Sequence, residues 1–158
     1  MLQASILKRS SPPLRQLSFI YNSDDEPNSP VARAEACITL VPTVIHLELQ
    51  GLTLQGAEQF FALLEQSPPD RLLPNLQVLT LRDMPSPFPT DSSWNTLARG
   101  LSARRGTQLR SVSIIMTPFP PVNSPELSPN TLDLLRALVE GGMEIYIGTR
   151  SRNLLSPS

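Results

Sequence analysis

Leu76-Gln77-Val78-Leu79-Thr80-Leu81 decides the reading of this chain, because its apolar frame, LxxLxL, returns four more times at nearly constant spacing. The frame is Leu14, Leu17 and Phe19 in the first copy and Val44, Leu47 and Leu49 in the second. After the central copy it continues as Leu109, Val112 and Ile114, then as Gly142, Ile145 and Ile147. The copies begin at residues 14, 44, 76, 109 and 142, in steps of 30, 32, 33 and 33 residues. In each copy the last two core positions alternate with a mostly polar residue, the period-two mark of a strand with one buried face.

Between these segments the apolar period becomes helical. SPVARAEACITL offers Ser29 as N-cap and Pro30 as the first helical residue. QGAEQFFALLEQ brings Phe60, Phe61 and Leu64 to one side and stops at Pro68-Pro69. DSSWNTLARGLSARR offers Asp91 or Ser92 as a cap, with Trp94, Leu97 and Leu101 on one face. SPNTLDLLRALVEGG repeats the Ser-Pro start at Ser128 and Pro129, places Leu132, Leu135 and Leu138 toward the core, and ends in the Gly141-Gly142 pair. The 17 prolines fall between the apolar segments, where a fixed φ and a missing donor do least harm.

Strand and helix alternating at one spacing require parallel strands joined by right-handed crossovers. Two architectures satisfy this, a doubly wound sheet and a stacked repeat. The half-polar strands argue against a sheet covered on both faces, which would read as continuously apolar. The frame recurs with little change of register, and no strand is followed by a glycine-rich phosphate turn. The expected fold is α/β, a short leucine-rich-repeat-like solenoid of about five parallel strands with helices on the convex side. Residues 14–155 form the expected repeat domain. Residues 1–13 read as the end of an incomplete first repeat or an N-terminal cap, and residues 156–158 as a tail.

With 158 residues, 40% hydrophobic and 17% charged, and a formal net charge of −1, the chain can build a core. The same balance lacks the basic footprint of a nucleic-acid binder. The one cysteine, Cys37, cannot close an intrachain disulfide, which points to an intracellular setting, cytoplasmic or nuclear. The start MLQASILKRSSPP lacks the apolar core of a secretion signal, and no run of 18 apolar residues announces a membrane span.

Three stretches carry a resemblance: LLPNLQVLTLRDMP at 72–85, VPTVIHLELQG at 41–51 and LVEGGMEIYIGTRSRNLL at 138–155. They resemble the C-terminal leucine-rich-repeat region of F-box proteins from mushroom-forming fungi, over Ser11 to Leu155. The ninth repeat position, asparagine or cysteine in standard repeats, is Asn22, Leu52, Met84, Thr117 and Arg150 here, so the asparagine ladder is present only once. The resemblance implies a non-catalytic protein-recognition domain, the substrate-binding part of an SCF-type ubiquitin ligase receptor. The LPxE-like opening of an F-box is not among these residues, so a Skp1-type adaptor is an expected partner only if an F-box is supplied elsewhere. The remaining expected partners are a protein substrate and a second copy meeting an open N-terminal end. Nucleic acid and membrane are not expected. Two other readings stand beside this one: an orphan repeat fragment with a structural role or no specific partner, and a small α/β enzyme.

Positions between the buried strand residues would line the concave side. One column reads Ser18, Glu48, Thr80, Ser113, Tyr146, a second Ile20, Gln50, Arg82, Ile115, Gly148, and a third Gln16, His46, Val78, Ser111, Glu144. From these, Glu48, Arg82, Ile115 and Tyr146 are the candidate protein-binding surface, since tyrosine and arginine are enriched in binding hot spots. No catalytic, cofactor-binding or metal-ligating set is expected. His46 is the only histidine and lacks a catalytic companion in sequence. Cys37 reads as core rather than nucleophile. Asp24-Asp25-Glu26 reads as a solvated loop rather than a cation site. Arg99, Arg104 and Arg105 read as a complement to a helix dipole, with a phosphate site as the alternative. Thr117–Pro129 reads as the longest connection, with a presented proline-rich ligand as the alternative.

Overall fold

The structure is a computed structural model that describes residues 13–21, 30–84, 90–117 and 127–156, and the side chains of the first helix from Glu35 onward. The expectations placed on residues 1–12, Asp24-Asp25-Glu26, Ser29 and most of the 117–129 connection lie outside the described residues.

Five parallel strands stand in chain order, β1 (Gln16–Ile20), β2 (His46–Gln50), β3 (Val78–Met84), β4 (Ser111–Met116) and β5 (Glu144–Thr149). A two-residue β6 (Arg152–Asn153), absent from the sequence reading, adds an antiparallel edge to β5. Among the described residues, four helices separate the parallel strands: α1 (Pro30–Thr39), α2 (Leu54–Gln66), α3 (Asp91–Ala103) and α4 (Pro129–Glu140). The chain is thus α/β with a mostly parallel six-stranded sheet, and the strand order never reverses.

The pairing register reproduces the repeat frame residue for residue. Leu17, Leu47, Leu79, Val112 and Ile145 are successive partners, as are Phe19, Leu49, Leu81, Ile114 and Ile147. From β2 to β5 these residues are buried in one cluster with Phe60, Phe61, Leu64, Trp94, Leu97, Leu101, Leu135 and Leu138 of the helices. Each fully buried leucine contributes roughly 1.5–3 kcal/mol relative to exposure. The strands β2, β3 and β4 also start in the same way. The Arg15 carbonyl accepts from the Ile45 and His46 amides at 2.8 and 3.1 Å, the Ile45 carbonyl from Gln77 and Val78 at 2.8 and 3.0 Å, and the Gln77 carbonyl from Arg110 and Ser111 at 2.9 and 3.1 Å. A constant step in sequence has become a constant hydrogen-bonding step in space.

The helices α2, α3 and α4 begin on side-chain caps. Thr53 accepts from the Gly56 amide at 3.1 Å, and Ser128 accepts from Thr131 at 3.2 Å with Pro129 at the start of α4. The cap of α3 is Thr90, accepting from Ser93 at 3.4 Å, rather than Asp91 or Ser92. Asp91 reaches forward instead: its carboxylate accepts from the Ser128 amide at 2.8 Å and the Thr131 hydroxyl at 3.0 Å, tying the start of α3 to the start of α4. These bonds hold its carboxyl below the usual range, the Ser128 amide contributing most and desolvation opposing. Between α2 and α3, the rings of Phe61 and Trp94 pack with centroids 5.8 Å apart and planes tilted by 37°, and Ser93 donates to Glu58 at 2.8 Å. Gly100 permits the approach, since a Cβ there would meet the Glu65 amide at 3.0 Å.

Leu132 packs against the core as expected, partly buried. Two further expectations need correction. Cys37 is half-buried rather than core. The three arginines after Trp94 do not form one group. Arg99 pairs with Glu65 at 3.1 Å, Arg105 is exposed, and Arg104 is 2% exposed, donating from Nη1 to the Leu72 carbonyl at 2.9 Å. Its remaining guanidinium nitrogens have no partner among the described residues, and burial lowers its pKa. Arg104 therefore acts as an internal tether for the α2–β3 connection, not as a surface charge.

Candidate protein-binding face

Because side chains alternate along a strand, the residues between the buried columns stand together on the other face of the sheet. The structure places all four sequence-selected residues there. Glu48, Thr80, Ser113 and Tyr146 are register partners in one row, continuing from Ser18. Ile20, Gln50, Arg82, Ile115 and Gly148 form the next row. With parallel strands about 4.8 Å apart, each row crosses the four strands β2 to β5 in roughly 14 Å. Ile20 is 67% exposed, while Glu48, Arg82, Ile115 and Tyr146 are half-exposed.

Glu48 and Arg82, selected separately, meet as an ion pair at 3.3 Å, with side chains 19% and 42% exposed. A pair this open to water contributes little to stability, typically 0–1 kcal/mol. Its effect is to orient: the guanidinium is held toward β2, while Ile115 is the register partner of Arg82 on the other side, in β4.

Asp83 joins this face through a feature that period two does not reveal. Its φ is +53°, and the β3–β4 register shifts between Arg82 and Met84. Aspartate is among the few side-chain-bearing residues that tolerate this region. The bulge turns Met84 back into the core, so Arg82 and Asp83 stand consecutively outside it. Gln50 then donates to the Asp83 carboxylate at 2.7 Å, bridging β2 and β3 beside the ion pair.

The β5 end of the face is closed by the turn after Thr149. Gly148 is in phase with Tyr146, so a side chain there would stand on this face; the Arg152 carbonyl lies 1.9 Å from where its Cβ would be. The Tyr146 hydroxyl donates to the Thr149 carbonyl, so Tyr146 offers the face its ring rather than a free hydroxyl. Asn153 completes the turn, its side-chain oxygen accepting from the amides of Ile147 at 3.4 Å and Leu155 at 3.1 Å. Gly148 was legible in the sequence only as a gap in a column; the rim that requires it was not.

At the opposite end, Tyr21 follows β1 with its hydroxyl buried and without a partner among the described residues. Burial, with the Cys37 thiol adding to it, pushes its pKa up to about 12. His46 lies on the same face between Gln16 and Val78. Among the described residues no group of three histidine, cysteine or acidic side chains could hold a metal ion. Among them, too, no helix is long and apolar enough to cross a membrane.

Comparisons with family models, with curated proteins and with solved structures give no match for this chain.

Proposed function

We propose that the chain is a non-catalytic protein-recognition domain of leucine-rich-repeat type, its helices on the convex side and the face of Glu48, Arg82, Ile115 and Tyr146 on the concave side. One observation carries this reading: four residues from four strands, up to 98 positions apart in sequence (146 − 48), are in neighbouring rows of one half-exposed face. The unreversed strand order and the recurring hydrogen-bond step support the stacked-repeat part. The chemistry suits recognition, with an oriented arginine, an apolar neighbour and a tyrosine ring in a largely polar surround. By resemblance, the protein held there is the substrate of an SCF-type ubiquitin ligase.

The test is capture of partners from source-organism lysate with the tagged chain and with an Arg82→Ala, Tyr146→Ala double variant of unchanged circular dichroism. A partner held by the first and lost by the second supports the reading. Identical capture by both overturns the assignment to this face. Recovery of adaptor and cullin together with the partner supports the ligase part.

A further inference from the structure

Eight of the 17 prolines directly follow a serine or threonine, and four of those hydroxyl residues are described: Ser67, Thr117, Ser128 and Ser156. The structure separates them. Thr117 donates to the Met84 carbonyl at 3.1 Å, Ser128 is the cap of α4, and Ser67 is half-buried at the end of α2. Ser156 alone of the four is exposed, and it follows the turn that closes the sheet. It lines a groove of about 380 Å³ between α4 and β5, with Arg136 and Glu140 at the rim and Val139, Ile145 and Leu155 as apolar wall.

Arginine is also unspent at this place. Arg136, Arg150 and Arg152 are all exposed, and none has a carboxylate partner among the described residues. We propose that Ser156 is a phosphorylation site for a proline-directed serine/threonine kinase, and that Arg136 receives the phosphate. A kinase pocket with no acceptor for a backbone N–H after the serine selects proline, which lacks one. In the step, the Ser156 oxygen attacks the γ-phosphorus of ATP, the bond to ADP breaks, and the hydroxyl proton passes to the kinase's catalytic carboxylate. The product carries close to two negative charges at neutral pH, and its oxygens suit the planar fork of a guanidinium. A phosphate joined to Arg136 clamps the closing turn onto α4 and covers the groove.

The experiment treats the full chain with ATP and a proline-directed kinase of proven activity, maps phosphate by mass spectrometry, and records thermal midpoints. Ser156→Ala and Arg136→Gln chains are treated in parallel. The expected result is phosphate on Ser156 and a midpoint rise of about 2 °C that is absent from the treated Ser156→Ala chain, abolished by Arg136→Gln, and reduced in high salt. An unmodified Ser156 overturns the site. A phosphorylated Ser156 whose midpoint change is nil, or unaffected by Arg136→Gln, overturns the clamp.

Discussion

The two faces of the sheet are built from alternate residues of the same strands and have opposite characters. On one, Leu47, Leu79, Val112 and Ile145 form a buried column. One residue along, Glu48, Thr80, Ser113 and Tyr146 form a half-exposed row. The buried column is chemically uniform because packing leaves only size and shape to choose. The exposed row is uneven, holding a carboxylate, two hydroxyls and a phenol, which is the variety a recognition surface uses. Substitutions should therefore separate by face, with stability lost from one and binding from the other.

The largest effect is expected from Leu79→Ala. Leu79 is fully buried between Leu47 and Val112, and leucine-to-alanine changes in such a core cost about 2–5 kcal/mol through lost transfer energy and the cavity left. Urea denaturation should show the midpoint falling with the slope little changed. A loss under about 1 kcal/mol would show that the column is not the packed centre described.

Gly148→Ala tests where the two faces meet. The new Cβ would stand on the exposed face, yet the Arg152 carbonyl is already there, so the closing turn must move. The expected cost is about 1–3 kcal/mol, as for overpacking, with faster hydrogen exchange at the Leu154 amide, which donates to the Ile147 carbonyl at 2.7 Å. An unchanged chain would mean that the turn does not close this end in solution.

The buried face was more legible in sequence than the exposed one, and the reason is physical. Burial imposes one requirement at a fixed period, so Leu76–Leu81 and its copies could be aligned, and the register follows that alignment. The candidate residues could be assigned to a face for the same reason. Period two says nothing about departures from it. The bulge at Asp83 depends on one residue's φ, and the short β6 and the carbonyl over Gly148 depend on a tight turn that doubles the chain back on itself. Arg104 misled because its charge reads as exposed, whereas its aliphatic stem and a single carbonyl acceptor suffice to carry it inside. Thr90 was overlooked as the α3 cap because two further capping types follow it directly.

Asp91 sharpens the comparison from the helix side, where a polar contact contributes to stability. Its folded-state pKa lies below the unfolded value, so its contribution is present above the unfolded carboxylate range and is lost as pH falls through the folded pKa. Asp91→Asn should be less stable than the parent at pH 7, and the gap should close as both are taken down through the carboxylate range. Parallel denaturation curves at pH 7 and at successively lower pH would show this. A gap constant with pH would assign the loss to changed hydrogen bonding rather than to charge.

The smallest stability effect, and the one on which the contrast between faces turns, belongs to Glu48 and Arg82. Their separation of 3.3 Å would suggest strength, but the guanidinium side chain is 42% exposed, and water and salt screen such a pair. Arg82→Ala should shift stability by less than about 1 kcal/mol, and less again in high salt. Glu48→Gln should do the same, and the double change should equal the sum of the singles to within about 0.5 kcal/mol. Partner retention should follow different arithmetic. On the proposed reading, removing Arg82 deletes the group offered to a partner, whereas Glu48→Gln leaves the guanidinium in place with less to orient it. Loss of capture should therefore be greater for Arg82→Ala than for Glu48→Gln although their stability costs are alike. Equal losses of capture would make the pair a single unit of recognition, and a stability cost comparable with that of Leu79→Ala would remove the distinction between the two faces.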